Sequence, residues 1–534
     1  MTPMSLGIVG GLVADGTGGE LQLADIEVAA GRIVRVISRR PDEPSNVIAD
    51  EVIDAAGQIV APGFIDIHTH SDVILLREPT GASKVLQGVT TEVTGNCSFS
   101  AFPVHPDRRA DLADHLARLG DGAPVISWTD LQGYVDALQG MHPSLNVLPL
   151  VGHGALRIAA LREPYGPANQ ADARQMRRLL DQSLEAGAWG LSTGLTHSPS
   201  SSGSPEEIHD LLSVVASRDA LYATHARAVA GSEFGAIDEA LEATRRTGAR
   251  LQFSHLALND PSSWGKSDQA LRLFDQAHSE SLDVAFDVYP YDASSSSLVQ
   301  YLPQWAQEGG SDGLRRHSSE SAWRSRVLRE MEEGWYGGIP WLWDRVLLID
   351  VGPRADLVGL TLQEACQVEA ADPYELVLDL CINYGSEVMV VMFYRTESDM
   401  MTFLAHPLAS VGSDGNALPI DRGTGNPHPR AFGTFPRVLG QYVRDRGLMS
   451  LPEAIRRMTS LPASRLGLAD RGIIQAGAIA DLVTFDPVSI EDRATFQRPR
   501  QAPLGVSTTI VDGQVVVRDG LLTAAAPGRV LLRG

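Results

Sequence analysis

The chain is poor in cysteine, in basic residues and in long apolar runs. Its 534 residues include only three cysteines, Cys97, Cys366 and Cys381. Three cannot build a disulfide framework, which favours a reducing interior and a cytoplasmic location. No stretch reaches the roughly 18 uninterrupted apolar residues of a membrane span, so no membrane partner is expected. Residues Met1 to Gly19 are apolar but lack a basic leader and a small-residue cleavage site; they read as a first strand and Gly-rich turn rather than a signal peptide. Lys and Arg number 44 against 66 Asp and Glu, a formal charge of −22. Such a surface repels phosphate backbones, which argues against nucleic acid as a partner. The charge otherwise means solubility and says nothing about a substrate, because a pocket can oppose the net value. Finally, no Gly-x-Gly-x-x-Gly opening follows the early strands, which weakens a dinucleotide fold.

What is there is the composition of a folded globular protein, 43% hydrophobic and 21% charged, long enough for a large domain with a satellite. The first segment is a series of short strands: Leu6 to Ala14, Ala24 to Ala29, Arg32 to Ile37 and Glu51 to Val60. The far end has the same texture, with Ala480 to Phe485, Ser507 to Val511 and Gln514 to Arg518 around an Asp512-Gly513 hairpin signal. Two β-rich ends around a long middle predict one β-sandwich made from residues 1–60 and 469–534. The middle, 61–468, alternates apolar runs (Val147 to Val151, Gly190 to Ser192, Leu221 to His225, Arg250 to His255, Val284 to Tyr289) with amphipathic stretches such as Ala171 to Ala186 and Phe234 to Thr247. That alternation predicts a parallel α/β barrel or a doubly wound sheet. The rhythm breaks over about 292–344, read as an excursion over the barrel mouth.

His68-Thr69-His70 follows the apolar strand Gly63 to Ile67. Residues two apart on a strand point the same way, and active sites of parallel barrels collect at strand C-terminal ends. A His-x-His pair alone equally suits two structural histidines. Four further residues stand at similar strand ends: Cys97 after Val89 to Thr94, His225 after Leu221 to Thr224, His255 after Leu251 to Ser254, and Asp414 after Ala409 to Ser413. Each has a bland reading, Cys97 as a small buried hydrophobe and Asp414 as a helix cap before Gly415. Together they make a set suited to zinc, which favours imidazole and thiolate and in catalytic sites keeps one position for water.

These stretches resemble the N-acyl-D-amino-acid deacylases (D-aminoacylases) of the amidohydrolase superfamily across nearly the whole chain. The resemblance is carried by Pro62-Gly63-Phe64-Ile65-Asp66-Ile67-His68-Thr69-His70, Gly95-Asn96-Cys97, Gly190-Leu191-Ser192-Thr193-Gly194-Leu195 and Ala223-Thr224-His225-Ala226-Arg227. It continues through Ser254-His255, Asp287-Val288-Tyr289-Pro290-Tyr291, Gly412-Ser413-Asp414-Gly415 and His428-Pro429-Arg430-Ala431-Phe432-Gly433-Thr434-Phe435. It implies a (β/α)₈ TIM-like metal-dependent hydrolase barrel with the small β-sandwich formed by both chain ends. It also implies one or two Zn²⁺ ions. Cys97, His225 and His255 would hold the tighter ion, with the thiolate standing where many relatives place a carboxylated lysine. His68, His70 and Asp414 would line a second, weaker position bridged by Cys97. Zinc lowers the pKa of water from ~16 to ~7; Asp414 would accept a proton during attack on the carbonyl and return one to the departing nitrogen.

The implied reaction is hydrolysis of a linear N-acyl-amino acid, of D configuration by family tendency, to a carboxylate and a free amino acid. The chain departs from the family where the substrate carboxylate binds. A lysine two residues after the His255 motif is replaced by Ala257, and a tyrosine after the Ser-Thr-Gly-Leu motif by His197. His197 itself, Tyr289, Tyr291 and Arg430 are candidate substrate contacts, although the tyrosines flanking Pro290 also suit packing and Arg430 a surface ion pair. Lys266 is a further source of positive charge. His153, between two glycines after an apolar strand, is a candidate for the pocket, whereas His105, His115 and His142 read as surface residues. Three alternatives stand beside the leading one, the first being hydrolysis of a related amide substrate without a carboxylate. A cyclic-amide hydrolase of the hydantoinase or dihydroorotase kind normally carries the bridging lysine rather than Cys97, and a non-catalytic scaffold normally loses ligands that are all present here.

Overall fold

The structure is a computed structural model that describes residues 5–120 and 122–534. Nine strands from the two ends of the chain hydrogen-bond into one sheet. Its seam is the antiparallel pairing of Ile59–Pro62 with Leu482–Phe485, Pro62 lying opposite Leu482. Beyond the seam, Leu6–Val13, Gln22–Ala29 and Arg32–Ser38 extend one flank, and Val506–Val511 and Gln514–Arg518 the other. The Asp512-Gly513 turn joins the last two with positive φ at both residues, 49° and 75°, the backbone that matches the twist of a tight hairpin. Leu6, Ile8, Ile26, Val60, Leu482 and Ile510 form the core of this β-domain.

Pro62 leads directly into the first strand of a parallel barrel. In chain order its strands are Phe64–Asp66, Val89–Thr94, Asn146–Pro149 continued by Val151–Gly152, Gly190–Gly194, Leu221–His225, Arg250–Phe253, Val284–Val288 and Ala409–Val411. Neighbours pair in parallel throughout. The ring closes where Thr69 bridges Gly415 and where Asp414 N donates to His68 O at 2.8 Å. The strands are short continuous apolar runs because helices cover the outside and side chains fill the inside; Val284–Val288 is buried at every residue. The amphipathic stretches are the covering helices, Gln170–Glu185, capped by an Asn169–Asp172 capping box, and Glu233–Thr247.

The excursion between the seventh and eighth strands is longer than 292–344. It contains an antiparallel sheet of Ser294–Ser297, Val388–Met392 and Val346–Val351, together with helices such as Ser321–Glu332 and Pro373–Tyr384. The physical reason is burial: Leu298, Leu348, Leu378, Val390 and Tyr394 build a separate apolar core that neither half completes alone. A second difference lies at the C-terminus. Residues after the β-domain return to the barrel, where Val530 bridges Val147 and Leu531 N donates to Val147 O at 2.8 Å.

Candidate metal centre and active-site cavity

All six candidate ligands stand at the C-terminal ends of barrel strands, and the backbone works to bring them together. Cys97, His255 and Asp414 all take positive φ, 52°, 35° and 52°, a strained choice for residues with a side chain and a common feature of functional sites. Close approach is enabled by glycine: a Cβ on Gly194 would meet the Cys97 carbonyl oxygen at 2.2 Å, and one on Gly412 would meet the His68 Cβ at 2.9 Å.

The side chains converge. Cys97 Sγ lies 3.3 Å from His68 Nε2 and 3.5 Å from His255 Nε2. Asp414 Oδ1 lies 2.9 Å from His70 Nε2 and 3.4 Å from His68 Nε2, and its Oδ2 is 2.6 Å from Arg430 Nη1. His225 Nδ1 is 3.0 Å from His255 Nε2, while its Nε2 meets the Thr196 hydroxyl at 2.7 Å. The potential ligand atoms fall into two groups sharing the sulfur: His68, Cys97, His255 and Asp414, and Cys97, His197 and His225. His70 joins through Asp414 and through the Cys97 sulfur. The two groups meet where His225 Nδ1 and His255 Nε2 lie 3.0 Å apart.

The electrostatics suit cation binding. Burial opposes ionisation of Cys97, yet the charge of His68 and hydrogen bonds from His197, His225 and His255 hold its thiol well below the usual range. Burial also opposes ionisation of Asp414, but Arg430 and the imidazoles of His255, His68 and His70 keep it well below the usual carboxylate range. Burial and the neighbouring His197 push His225 down to about 3, so its ring is a neutral donor at pH 7. The His225 and His255 nitrogens face each other at 3.0 Å, an arrangement that a shared cation satisfies. Thiolate, imidazole and carboxylate in this combination match the preferences of zinc.

Two supports hold the ligands. Asp287 Oδ1 accepts from His68 Nδ1 at 3.0 Å and from the His255 backbone N–H at 2.8 Å. Below the first and eighth strands, the fully buried Lys84 donates to Asp66 at 2.8 Å, Ser413 at 2.6 Å and the Gly415 carbonyl at 3.0 Å, tying together the segments that carry His68 and Asp414.

The centre opens into a cavity of about 750 Å³. His70, Cys97, His197, His225, His255, Asp414 and Arg430 line its barrel side, and Ser294 to Ser297, Gln300, Tyr301 and Tyr336 of the excursion line the opposite wall. Gln300 Nε2 donates to Thr196 Oγ1 at 3.3 Å and to Tyr336 OH at 2.7 Å, so the excursion touches the hydroxyl that holds His225.

The family model for the amidohydrolase family matches residues 51–320 and 394–517. N-acyl-D-glutamate deacylase of Alcaligenes xylosoxydans xylosoxydans is 36% identical over 530 residues, which cover 99% of this chain and 97% of that protein. The chain belongs to the N-acyl-D-amino-acid deacylase family of amidohydrolases. A crystal structure of N-acyl-D-glutamate deacylase from Bordetella bronchiseptica, complexed with zinc and a phosphonate mimic of the tetrahedral intermediate, superimposes on this deacylase-family chain with a TM-score of 0.83. It is 33% identical, with 100% of each chain covered. A structure of D-aminoacylase, described for one-metal activation and second-metal attenuation in a binuclear centre, gives the same TM-score at 33% identity and covers 99% of this chain and 100% of that one.

Several candidate substrate contacts of this deacylase-family chain are placed elsewhere. His153 is wholly buried and outside the cavity, both ring nitrogens being engaged, with Ser200 Oγ at 2.8 Å and Glu207 Oε1 at 2.7 Å; its flanking glycines serve close packing. Tyr291 is a packing residue, its hydroxyl donating to Asp492 at 2.9 Å and its ring lying under Arg437. Tyr289 does not line the main cavity but is a platform, with Arg395 and Arg430 lying 4.6 and 4.8 Å from its ring centroid. Lys266 is exposed and donates to the Ser262 carbonyl. His115, read as a surface residue, is buried and stacked on Phe99 at 4.5 Å, and burial pushes it down to about 3. The sequence reading missed Asp287, legible as the lone charge in a buried strand, and Arg395, which nothing local marks because it enters the cavity from the excursion.

Proposed function

We propose that this chain hydrolyses N-acyl-D-amino acids to a carboxylate and a free D-amino acid. One or two zinc ions are held by His68, His70, Cys97, His225, His255 and Asp414. The observation that carries this reading is the convergence of a thiolate, imidazoles and the Asp414 carboxylate on one point at the barrel mouth, beside a cavity of about 750 Å³. The zinc preference and the D configuration draw support from the relatives that share the full length of the chain.

Bound zinc supplies hydroxide near neutral pH and a positive charge for the amide oxygen. The remaining work belongs to the protein. Asp414, ionised between His70 and Arg430, accepts the proton of the attacking water and then passes it to the amine nitrogen, which leaves poorly as an anion. Arg430 steadies that carboxylate. Arg395 donates from Nε to Asn259 at 3.0 Å and, among the described residues, pairs with no carboxylate; its guanidinium in the cavity wall fits a substrate carboxylate, doing from the excursion what Lys does two residues after the His255 motif in the family. Three free cysteines, with none paired, support a cytoplasmic setting.

The test is amine release from N-acetyl-D-amino acids, N-acetyl-L-amino acids and cyclic amides by the zinc-loaded protein. Turnover of the D-series alone is the expected result. Turnover confined to ring substrates would replace this reading with a cyclic-amide hydrolase.

A further inference from the structure

We propose that the acyl arm of the substrate ends in a carboxylate of its own and that Arg118 binds it, so that N-succinyl-type D-amino acids are preferred over N-acetyl ones. The assignment rests on the reading above, in which the carboxylate of the amino-acid half lies at Arg395.

The barrel sets positive charge in two opposed sectors of the cavity. Eight strands close into one ring, so the third faces the seventh. Tyr289 follows the seventh strand, and the guanidiniums of Arg395 and Arg430 lie 4.6 and 4.8 Å from its ring centroid. Arg118 comes from the other sector. It ends the helix Arg109–Ala117 after the second strand, and its Nη1 donates to the Ser198 carbonyl, beyond the fourth strand, at 3.1 Å. It therefore spans the third-strand side of the mouth and lines the cavity there.

Arg118 is held in place but not neutralised. Only 8% of the residue is exposed. Its second contact is Gln307 Oε1 at 3.5 Å, an oxygen turned toward it because Gln307 Nε2 donates to the Gln300 and Leu302 carbonyls. Both contacts fall on Nη1, and both partners are uncharged. Among the described residues no carboxylate pairs with the guanidinium, and its Nε–Nη2 edge has no hydrogen-bond partner. Other arginines of the cavity differ: Arg422 is paired with Glu78 and Arg430 with Asp414. A charge withdrawn from water without a counter-charge is costly, and the open Nε–Nη2 edge is a planar fork that matches both oxygens of a carboxylate.

The geometry of the substrate decides which carboxylate reaches that edge. A secondary amide is planar and trans, so the acyl chain and the amino-acid Cα leave the carbonyl–nitrogen bond on opposite sides. With the carbonyl at the metal centre and the amino-acid carboxylate at Arg395, the acyl chain runs toward the third-strand sector. An acetyl group has nothing to offer Arg118, whereas a dicarboxylic acyl group such as succinyl brings the missing counter-charge.

The experiment uses the full zinc-loaded chain and a panel of D-amino acids, each as its N-acetyl, N-succinyl and N-succinamoyl derivative, the last carrying an uncharged amide in place of the terminal carboxylate. On the same amino acid, kcat/KM should be about 10–100-fold higher for the succinyl than for the succinamoyl compound, the range of a charged hydrogen bond. That ratio should fall close to one in Arg118→Gln. Arg118→Lys, which keeps the charge but not the fork, should retain part of it. A ratio near one in the wild-type protein, or an undiminished ratio in Arg118→Gln, overturns the assignment. So does a preference for acidic D-amino-acid side chains that Arg118→Gln abolishes, since the arginine would then serve the other half of the substrate. Turnover of the N-acetyl series without a succinyl preference sinks this inference alone; no turnover of any N-acyl-D-amino acid sinks the reading of the function with it.

Discussion

His68 Nδ1 donates to Asp287 Oδ1 at 3.0 Å, which leaves Nε2 as the nitrogen turned toward the Cys97 sulfur, 3.3 Å away. A carboxylate only accepts, so this bond selects the tautomer of the ring. The same Asp287 carboxylate receives the His255 backbone N–H at 2.8 Å and Gln252 Nε2 at 3.1 Å. One acid on the seventh strand therefore orients candidate ligands from the first and sixth.

Asp287→Asn is expected to lower zinc affinity about 10–100-fold, the usual effect of losing an outer partner of a metal-bound histidine. Titration against a chelator of known affinity reads this directly. Unchanged affinity would remove Asp287 from the centre.

Asp414→Asn should keep zinc, which the remaining donors hold, while kcat falls by about 10²–10⁴, the range attributed to general acid–base groups. Zinc content by elemental analysis and turnover on an N-acetyl-D-amino acid separate the two effects. A near-normal rate would exclude Asp414 as the proton carrier.

Arg395→Ala tests the substrate contact supplied by the excursion. A charged hydrogen bond contributes about 1.5–3 kcal/mol, so KM for an N-acyl-amino acid should rise about 10–100-fold. The corresponding amide without a carboxylate should be turned over as before. Equal loss on both substrates would point to a structural role instead.

Glu92, buried on the second barrel strand beside Lys84, provides a pH test. Burial pushes its carboxyl from 4.5 up to about 7, against the opposing charge of Lys84. Between those values the folded chain keeps a proton that the unfolded chain has released, so this residue makes stability fall as pH rises through the window, by about 3 kcal/mol in all. Glu92→Gln should reduce that slope in melting temperatures recorded from pH 5 to pH 8. An identical slope in the variant would show that Glu92 does not titrate there.

Much of the architecture was legible because it is written locally. The Asp512-Gly513 hairpin follows from two residues that tolerate positive φ, and the helix Gln170–Glu185 from its cap and apolar stripe. Each of the six candidate ligands was visible for the same reason: a polar residue at the end of an apolar strand is a local pattern. His153 shared that pattern and misled, because whether a strand-end histidine faces a cavity or a neighbouring helix depends on what packs over it, here Ser200 and Glu207.

The sequence by itself determined the strand-and-helix order, the joining of the two β-rich ends and which polar residues stand at the strand ends, since periodicity, turn chemistry and residue type belong to short stretches of chain. Only the tertiary structure decided that those side chains meet around the Cys97 sulfur, which arginines face the cavity and that the excursion forms its opposite wall. These are distances between segments hundreds of residues apart, set by barrel closure at Thr69 and Gly415 and by the packing of a second apolar core.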